Sequence, residues 1–189
     1  MSIRRLAPAA LAVLALAVPA FAAENYTIDD VHSQVVFKIN HMGVSNNYGV
    51  FKTIAGSFTL DGANSKVEVT IKADSVDTFN GKRNSHLNSP DFFNTKEFPT
   101  ITFKSKSVKS TGEKTMDVVG DLTFLGVTKP VTIKVTQIGS GKGMQGEWRS
   151  GFEGTFTIKR TDFGNKTYVE GGGLGDEVHV MVNIEGVRN

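Results

Sequence analysis

Residues 178–185 read Val178-His179-Val180-Met181-Val182-Asn183-Ile184-Glu185, with an aliphatic side chain at every second position. Successive side chains of a strand point to opposite faces, so this run sends Val178, Val180, Val182 and Ile184 to one side and the other four to the other. A helix would scatter the same residues around its axis, so the spacing predicts a strand. The same period recurs outward along the chain. Val67, Val69 and Ile71 alternate with Glu68, Thr70 and Lys72, and Val131, Ile133 and Val135 alternate with Thr132 and Lys134. Runs near 26–29, 33–40, 49–60, 66–72, 100–108, 115–124, 128–138, 150–160 and 176–187 read as strands. Between them lie the turn signals Asp61-Gly62, Thr111-Gly112, Leu125-Gly126 and the loop 139–146. One helical candidate stands at 80–93, where Ser89-Pro90 reads as an N-cap followed by proline at the first helical position. The reading is therefore all-β: an antiparallel up-and-down barrel of about eight strands with a short helical insertion.

The aromatic residues sharpen this picture. The chain holds 13 phenylalanines against three tyrosines and one tryptophan. Many follow the strand period, as in Val35-x-Phe37-x-Ile39, Ile101-x-Phe103, Leu122-x-Phe124 and Phe152-x-x-x-Phe156. Phenylalanine carries no polar group that must be satisfied, so such faces close over a dry core or around a greasy cavity. Parity places Phe37, Ile39, Phe51, Phe58, Phe103, Phe124, Phe152 and Phe156 inward. Barrels of eight strands are either filled by side chains or hold one small ligand, and parity alone does not separate the two.

The N-terminus bears on compartment. Arg4 and Arg5 precede an apolar stretch from Leu6 to Val18, and Pro19 leads into Ala20-Phe21-Ala22. This is the pattern of a signal peptide over residues 1–22, cleaved between Ala22 and Ala23, with the domain at 23–189 exported to the periplasm. The whole sequence has 21 basic and 19 acidic side chains, and the two basic residues of 1–22 leave the mature chain at 19 of each. Electrostatics thus supplies no argument for nucleic acid as a partner. With no cysteine there is no disulfide and no thiolate metal ligand.

Catalytic patterns are thin, and the sequence reads as a non-enzyme. The four histidines, His32, His41, His86 and His179, show no metal-ligand spacing, so neither a metal nor a cofactor is expected. Asp29, His32 and Ser33 include the residue types of a hydrolytic triad but lack a nucleophile elbow, and they read as a polar turn. The glycines at 171–173 and 175 read as a loop without a phosphate-binding context. For a polar head group the irregular segments matter. His41, Asn46 and Asn47 precede the 49–60 run, Lys82 and Arg83 lie in the helical insertion, and Arg160 and Asn165 follow the 150–160 run. A guanidinium or ammonium there suits a phosphate, and is equally at home as a solvated charge.

A series of short segments carries a family resemblance in order. It runs through Tyr26-Thr27-Ile28-Asp29, His32-Ser33, Val36-Phe37-Lys38-Ile39, His41-x-Gly43, Gly49-Val50-Phe51, Gly56-Ser57-Phe58 and Ser75-Val76-Asp77-Thr78. It continues with His86-Leu87, Asp91-Phe92-Phe93, Phe98 to Phe103, Gly120 to Thr123, Gly126 to Val131, Gly151-Phe152-Glu153, Asp162-Phe163 and Val182 to Gly186. The chain resembles the YceI-like family of exported bacterial lipid-binding proteins over essentially all of its mature length. The resemblance implies a lipocalin-like barrel holding a long-chain isoprenoid or related lipid, often as a homodimer. Transient membrane contact would follow from extracting such a ligand. Asn46-Asn47 stands where some relatives carry a bulkier pair, so the identity of the ligand does not carry over. Two classes stand open at this point: a carrier of an amphiphile for transport, storage or sequestration, and a packed stress-associated protein acting through its surface.

Overall fold

The computed structural model describes residues 22–189. Most of the expected signal segment therefore lies outside the described residues, and Ala22 and Ala23 form an exposed, irregular lead into the first strand. Eleven strands follow: β1 (Glu24–Ile28), β2 (Gln34–His41), β3 (Ser45–Phe51), β4 (Ile54–Leu60), β5 (Lys66–Lys72), β6 (Val76–Asp77), β7 (Thr100–Ser110), β8 (Thr115–Phe124), β9 (Val127–Lys142), β10 (Trp148–Lys159) and β11 (Leu174–Arg188). One short helix, α1 (Gly81–Leu87), separates β6 from β7.

The pairings close a barrel of eight strand positions. β1 and β2 are two halves of one bent strand, and both pair with β11, through Thr27↔Val187 and Phe37↔Val180. Likewise β3 and β4 are halves of the next strand, pairing with β2 and β1. β5 and β6 form the third position against them. β7 to β11 then follow antiparallel in chain order, and β11 meets β1 again. The connections at 42–44, 78–99, 125–126 and 160–173 share one end, called upper here. Those at 61–65, 111–114 and 143–147 share the lower end with β1's start.

Two bends interrupt the first two strand positions; the one at 52–53 departs from the expected runs, and the one at 29–33 is the expected polar turn. The 49–60 run is not continuous: it breaks at Lys52-Thr53, where Lys52 N donates to Ser75 O and Thr53 N donates to Ser75 Oγ. The partner turn at 73–75 thus takes over the ladder. The first strand bends at Asp29–Ser33, where Asp29 Oδ1 accepts from Val31 N at 3.0 Å and His32 N at 3.3 Å. Ser33 Oγ there accepts from Glu185 N and donates to Glu185 O, standing in for a strand partner.

The helix starts earlier than Ser89-Pro90 suggests. Asn80 is its cap, its side chain accepting from Arg83 N at 3.0 Å. Ser89 falls after the C-terminus, donates to His86 O and makes a turn through Phe92 N→Ser89 O. Both residues are good caps, and Pro90 fits equally well two residues past the C-cap Asn88. The Leu125-Gly126 turn is the expected two-residue hairpin, with φ of 51° and 71°.

Candidate ligand-binding lumen

All eight residues assigned inward by parity line empty space inside the barrel. Phe37, Ile39, Phe51, Phe103, Phe124 and Phe156 face an upper cavity of about 160 Å³. Phe58, Phe103 and Phe152 face a lower one of about 100 Å³. Aliphatic residues that the parity argument did not single out complete the walls, notably Val69, Ile133, Val180 and Val182. Their signal was present, since Val180 and Val182 belong to the run that revealed the fold.

Glycines explain why so many rings leave room. A Cβ on Gly49 would collide with the Phe37 ring, and one on Gly186 with the Phe58 ring. A Cβ on Gly120 would stand 2.5 Å from Phe103 Cζ. The outer edge of each ring therefore occupies the space that a side chain on the barrel wall would otherwise take. The rings also brace one another. Phe37, Phe51, Phe93, Phe124 and Phe163 form a chain with centroids 5.5–5.7 Å apart along successive pairs. Below, Tyr26 stacks on Phe58 at 4.7 Å and Phe152 meets Phe58 edge-on at 5.4 Å. Burial and the Glu24 carboxylate push the Tyr26 phenol up to about 12, so it remains a donor to Glu24 Oε2.

The size of the voids decides between core and cavity. Protein interiors pack like organic crystals, with few gaps larger than a water molecule. An engineered apolar cavity of about 150 Å³ stays dry and binds benzene. At about 24 cal/mol per Å³, the upper cavity of about 160 Å³ forfeits roughly 4 kcal/mol of packing. A barrel that only needed a core would fill it.

The lumen offers a ligand almost no polar contact. Of the side chains lining the upper cavity only Arg160 and Asn165 are polar, and both are buried, at 4% and 6% exposure. Their groups are committed to the protein. Arg160 donates from Nε to Gly175 O, from one terminal nitrogen to Asn165 Oδ1, and from the other to Leu174 O. Asn165 donates in turn to Phe92 O at 3.0 Å. Burial lowers the Arg160 pKa, but this group starts so high that it stays charged. The pair acts as a clasp, holding the loop at 164–174 and the insertion at 88–93 over the upper end.

The other head-group candidates lie elsewhere. His41 is exposed at the end of β2, past the lumen, and Asn46 points outward because inward parity on β3 belongs to Asn47, Gly49 and Phe51. Arg83 donates to Thr78 Oγ1 and Thr78 O and reaches Asn47 Oδ1 at 3.5 Å, pinning α1 to the barrel. Lys82 is exposed.

A second cluster lies at the bend of the first strand. Asp29, His32 and Glu185 bring three ligand-type atoms within 4.8 Å of one another. Sequence reading missed this convergence because Glu185 is far along the chain. The cation there is Arg149, which donates to Asp29 Oδ2 and Glu185 Oε1, each at 2.6 Å, and to Glu147 Oε1. Ser33 is spent on the Glu185 backbone, so the three residue types do not assemble a triad. The cluster bears on acid stability. Bonds from His32 and Arg149 hold the Asp29 carboxyl well below the usual carboxylate range, and a bond from Arg149 lowers that of Glu147. Depressed carboxyl pKa values contribute stability above the unfolded value of about 4, lost as pH falls through the folded one. His32, raised by Asp29, contributes at pH below its ordinary value and loses that on rising pH. Thermal midpoints of the native protein are expected to drop below about pH 4, and the gap to Arg149→Met to narrow there. A gap that stays constant from neutral to acid pH would rule out this linkage.

An eight-strand closed barrel around an apolar lumen is a lipid-binding type of fold. The chain belongs to the YceI-like family, whose domain is matched over residues 26–186. It is 47% identical to a UPF0312 protein of Ectopseudomonas mendocina (strain ymp) and 45% identical to protein YceI of Escherichia coli O157:H7, in each case over 88% of both chains. Among solved structures it is similar to Burkholderia cenocepacia BcnA, with a TM-score of 0.76 and 25% identity over 84% of this chain and 98% of that one. A Campylobacter jejuni YceI protein superposes with a TM-score of 0.71 and 32% identity over 79% and 90% of the two chains. A polyisoprenoid-binding domain from Saccharophagus degradans shares the fold at 17% identity and a TM-score of 0.68, covering 87% of this chain and 98% of that one.

Proposed function

We propose that this protein, exported to the periplasm and cleaved after Ala22, holds the chain of a long amphiphile, a polyisoprenoid or similar lipid, in the barrel lumen. It does so for transport, storage or sequestration, without a covalent step. The observation that carries the reading is the pair of apolar cavities kept open by rings lying on glycines. Affinity comes from burial, at about 25 cal/mol per Å² of apolar surface removed from water. Because Arg160 and Asn165 bond mainly to the protein, the chain contributes more to recognition than the head group does. The polyisoprenoid-binding description of the Saccharophagus domain is in keeping with such a ligand. Met42, Val44 and Phe79 project into solvent at the upper end, at 62%, 85% and 86% exposure, and supply a surface for brief membrane contact during loading.

Mass spectrometry of lipid extracted from protein purified out of its native compartment tests the reading. A stoichiometric long-chain species is the expected result, with a thermal midpoint that falls on delipidation. Protein that is repeatedly empty, and that no added prenyl or fatty amphiphile stabilises, would sink it.

A further inference from the structure

The two cavities meet at a constriction. Val69 on β5, Phe103 on β7, Ile133 on β9 and Val182 on β11 line both. Val69 and Phe103 are direct cross-strand partners, as are Val182 and Gly154 of β10. The constriction is thus a ring of side chains drawn from around the barrel, and Phe103 is its only aromatic member.

Two glycines tune how far it protrudes. Gly120 forms the seat on which the Phe103 ring lies, and Gly154 leaves room for Ile133, whose Cγ2 would be 2.8 Å from a Cβ added there. Ile133 is β-branched and stiff, so it answers such a Cβ by moving, not by folding away. A phenylalanine ring, by contrast, has staggered alternatives about Cα–Cβ and a broad two-fold torsion about Cβ–Cγ. Phe103 is therefore the movable part of the ring, and the upper cavity alone has the size for a short apolar ligand.

We propose that Phe103 is a gate at the waist of the lumen that sets the length of chain the protein accepts. With the ring on its Gly120 seat, a short chain fills the upper chamber. A longer chain enters the lower chamber, toward Phe58 and Phe152, by displacing the ring. This rests on the carrier reading and adds a specificity-determining residue to it.

The test uses geraniol, farnesol and geranylgeraniol, prenyl alcohols that share a head group and lengthen by an isoprene unit at each step. Their affinities are measured by calorimetry for the delipidated full-length mature protein and for Phe103→Ala, Phe103→Leu and Gly154→Ala. Circular dichroism checks the fold of each variant, and Phe103→Leu serves where the alanine variant is unstable. Opening the waist is expected to raise affinity for geranylgeraniol about tenfold relative to geraniol, and Gly154→Ala, by pushing Ile133 inward, to lower that ratio by a similar factor. Shifts equal for all three alcohols would overturn the gate and leave the carrier reading standing. Native protein that binds none of them and carries no lipid would overturn both.

Discussion

Replacing Gly56 with alanine is expected to destabilise the barrel by more than about 3 kcal/mol, although only one methyl group is added. Gly56 sits at φ 149°, a conformation left almost entirely to glycine. An added Cβ would overlap the Glu68 carbonyl oxygen and stand 3.0 Å from Glu68 C and 3.1 Å from Val69 Cα. Those atoms are backbone of β5, hydrogen-bonded across to β4, so no side chain can rotate away to make room. The sheet must part at the point where the second strand has just resumed after its break. For a domain of this size the thermal midpoint should fall by roughly 6–12 °C, at 2–4 °C per kcal/mol. Gly139→Ala is the matched control, because its Cβ meets nothing within 4 Å and its φ is ordinary. A Gly56 variant melting beside that control would show that β4 and β5 do not approach this closely.

Arg160→Leu is the second change of large expected effect, about 2–4 kcal/mol. The substitution keeps an apolar stem in the lumen wall but removes the donors to Gly175 O, Leu174 O and Asn165 Oδ1. Buried carbonyl oxygens left without a donor each cost on the order of 1–3 kcal/mol, partly offset by no longer burying a charge. Damage should be local. Asn165 also holds Phe92 O, and Thr167 Oγ1 holds Asp91 O at 2.6 Å, so the loop and the insertion should loosen together. Amide exchange is expected to quicken at 88–93 and 164–175 and to stay slow in β8 and β9. Uniform exchange across the barrel, or an unchanged melt, would contradict the clasp. Faster lipid release from this variant would link the clasp to access at the upper end.

These two residues mark how far the sequence can be read. Gly56 stands in a run that looks like one uninterrupted strand, and nothing local shows that Lys52-Thr53 hands its hydrogen bonds to the turn at 73–75. Arg160 was legible as a head-group candidate by residue type, but two of its acceptors are backbone carbonyls at the start of β11, fourteen and fifteen residues on. The helix start posed a different difficulty: Asn80 and Ser89 are both competent caps, and the tertiary position of Thr78 and Asn47 around Arg83 favours the first. Parity did better. It located the eight inward residues, because a period of two survives any bend that keeps the strand in its sheet, whereas choosing head-group candidates by residue type took in Asn46, which faces outward.

The alternation at 178–185, repeated in the other runs, was enough by itself to specify an antiparallel β structure with a phenylalanine-rich inner face. Side-chain direction depends only on local backbone geometry, and a two-residue period makes it countable. Whether that face encloses a filled core or an open lumen was decided only by tertiary structure. It turned on which glycine lies opposite which ring: Gly49 under Phe37, Gly120 under Phe103, Gly186 under Phe58. Those juxtapositions are set by strand register and barrel closure, which relate residues far apart in the chain, and a volume is a property of all the walls at once.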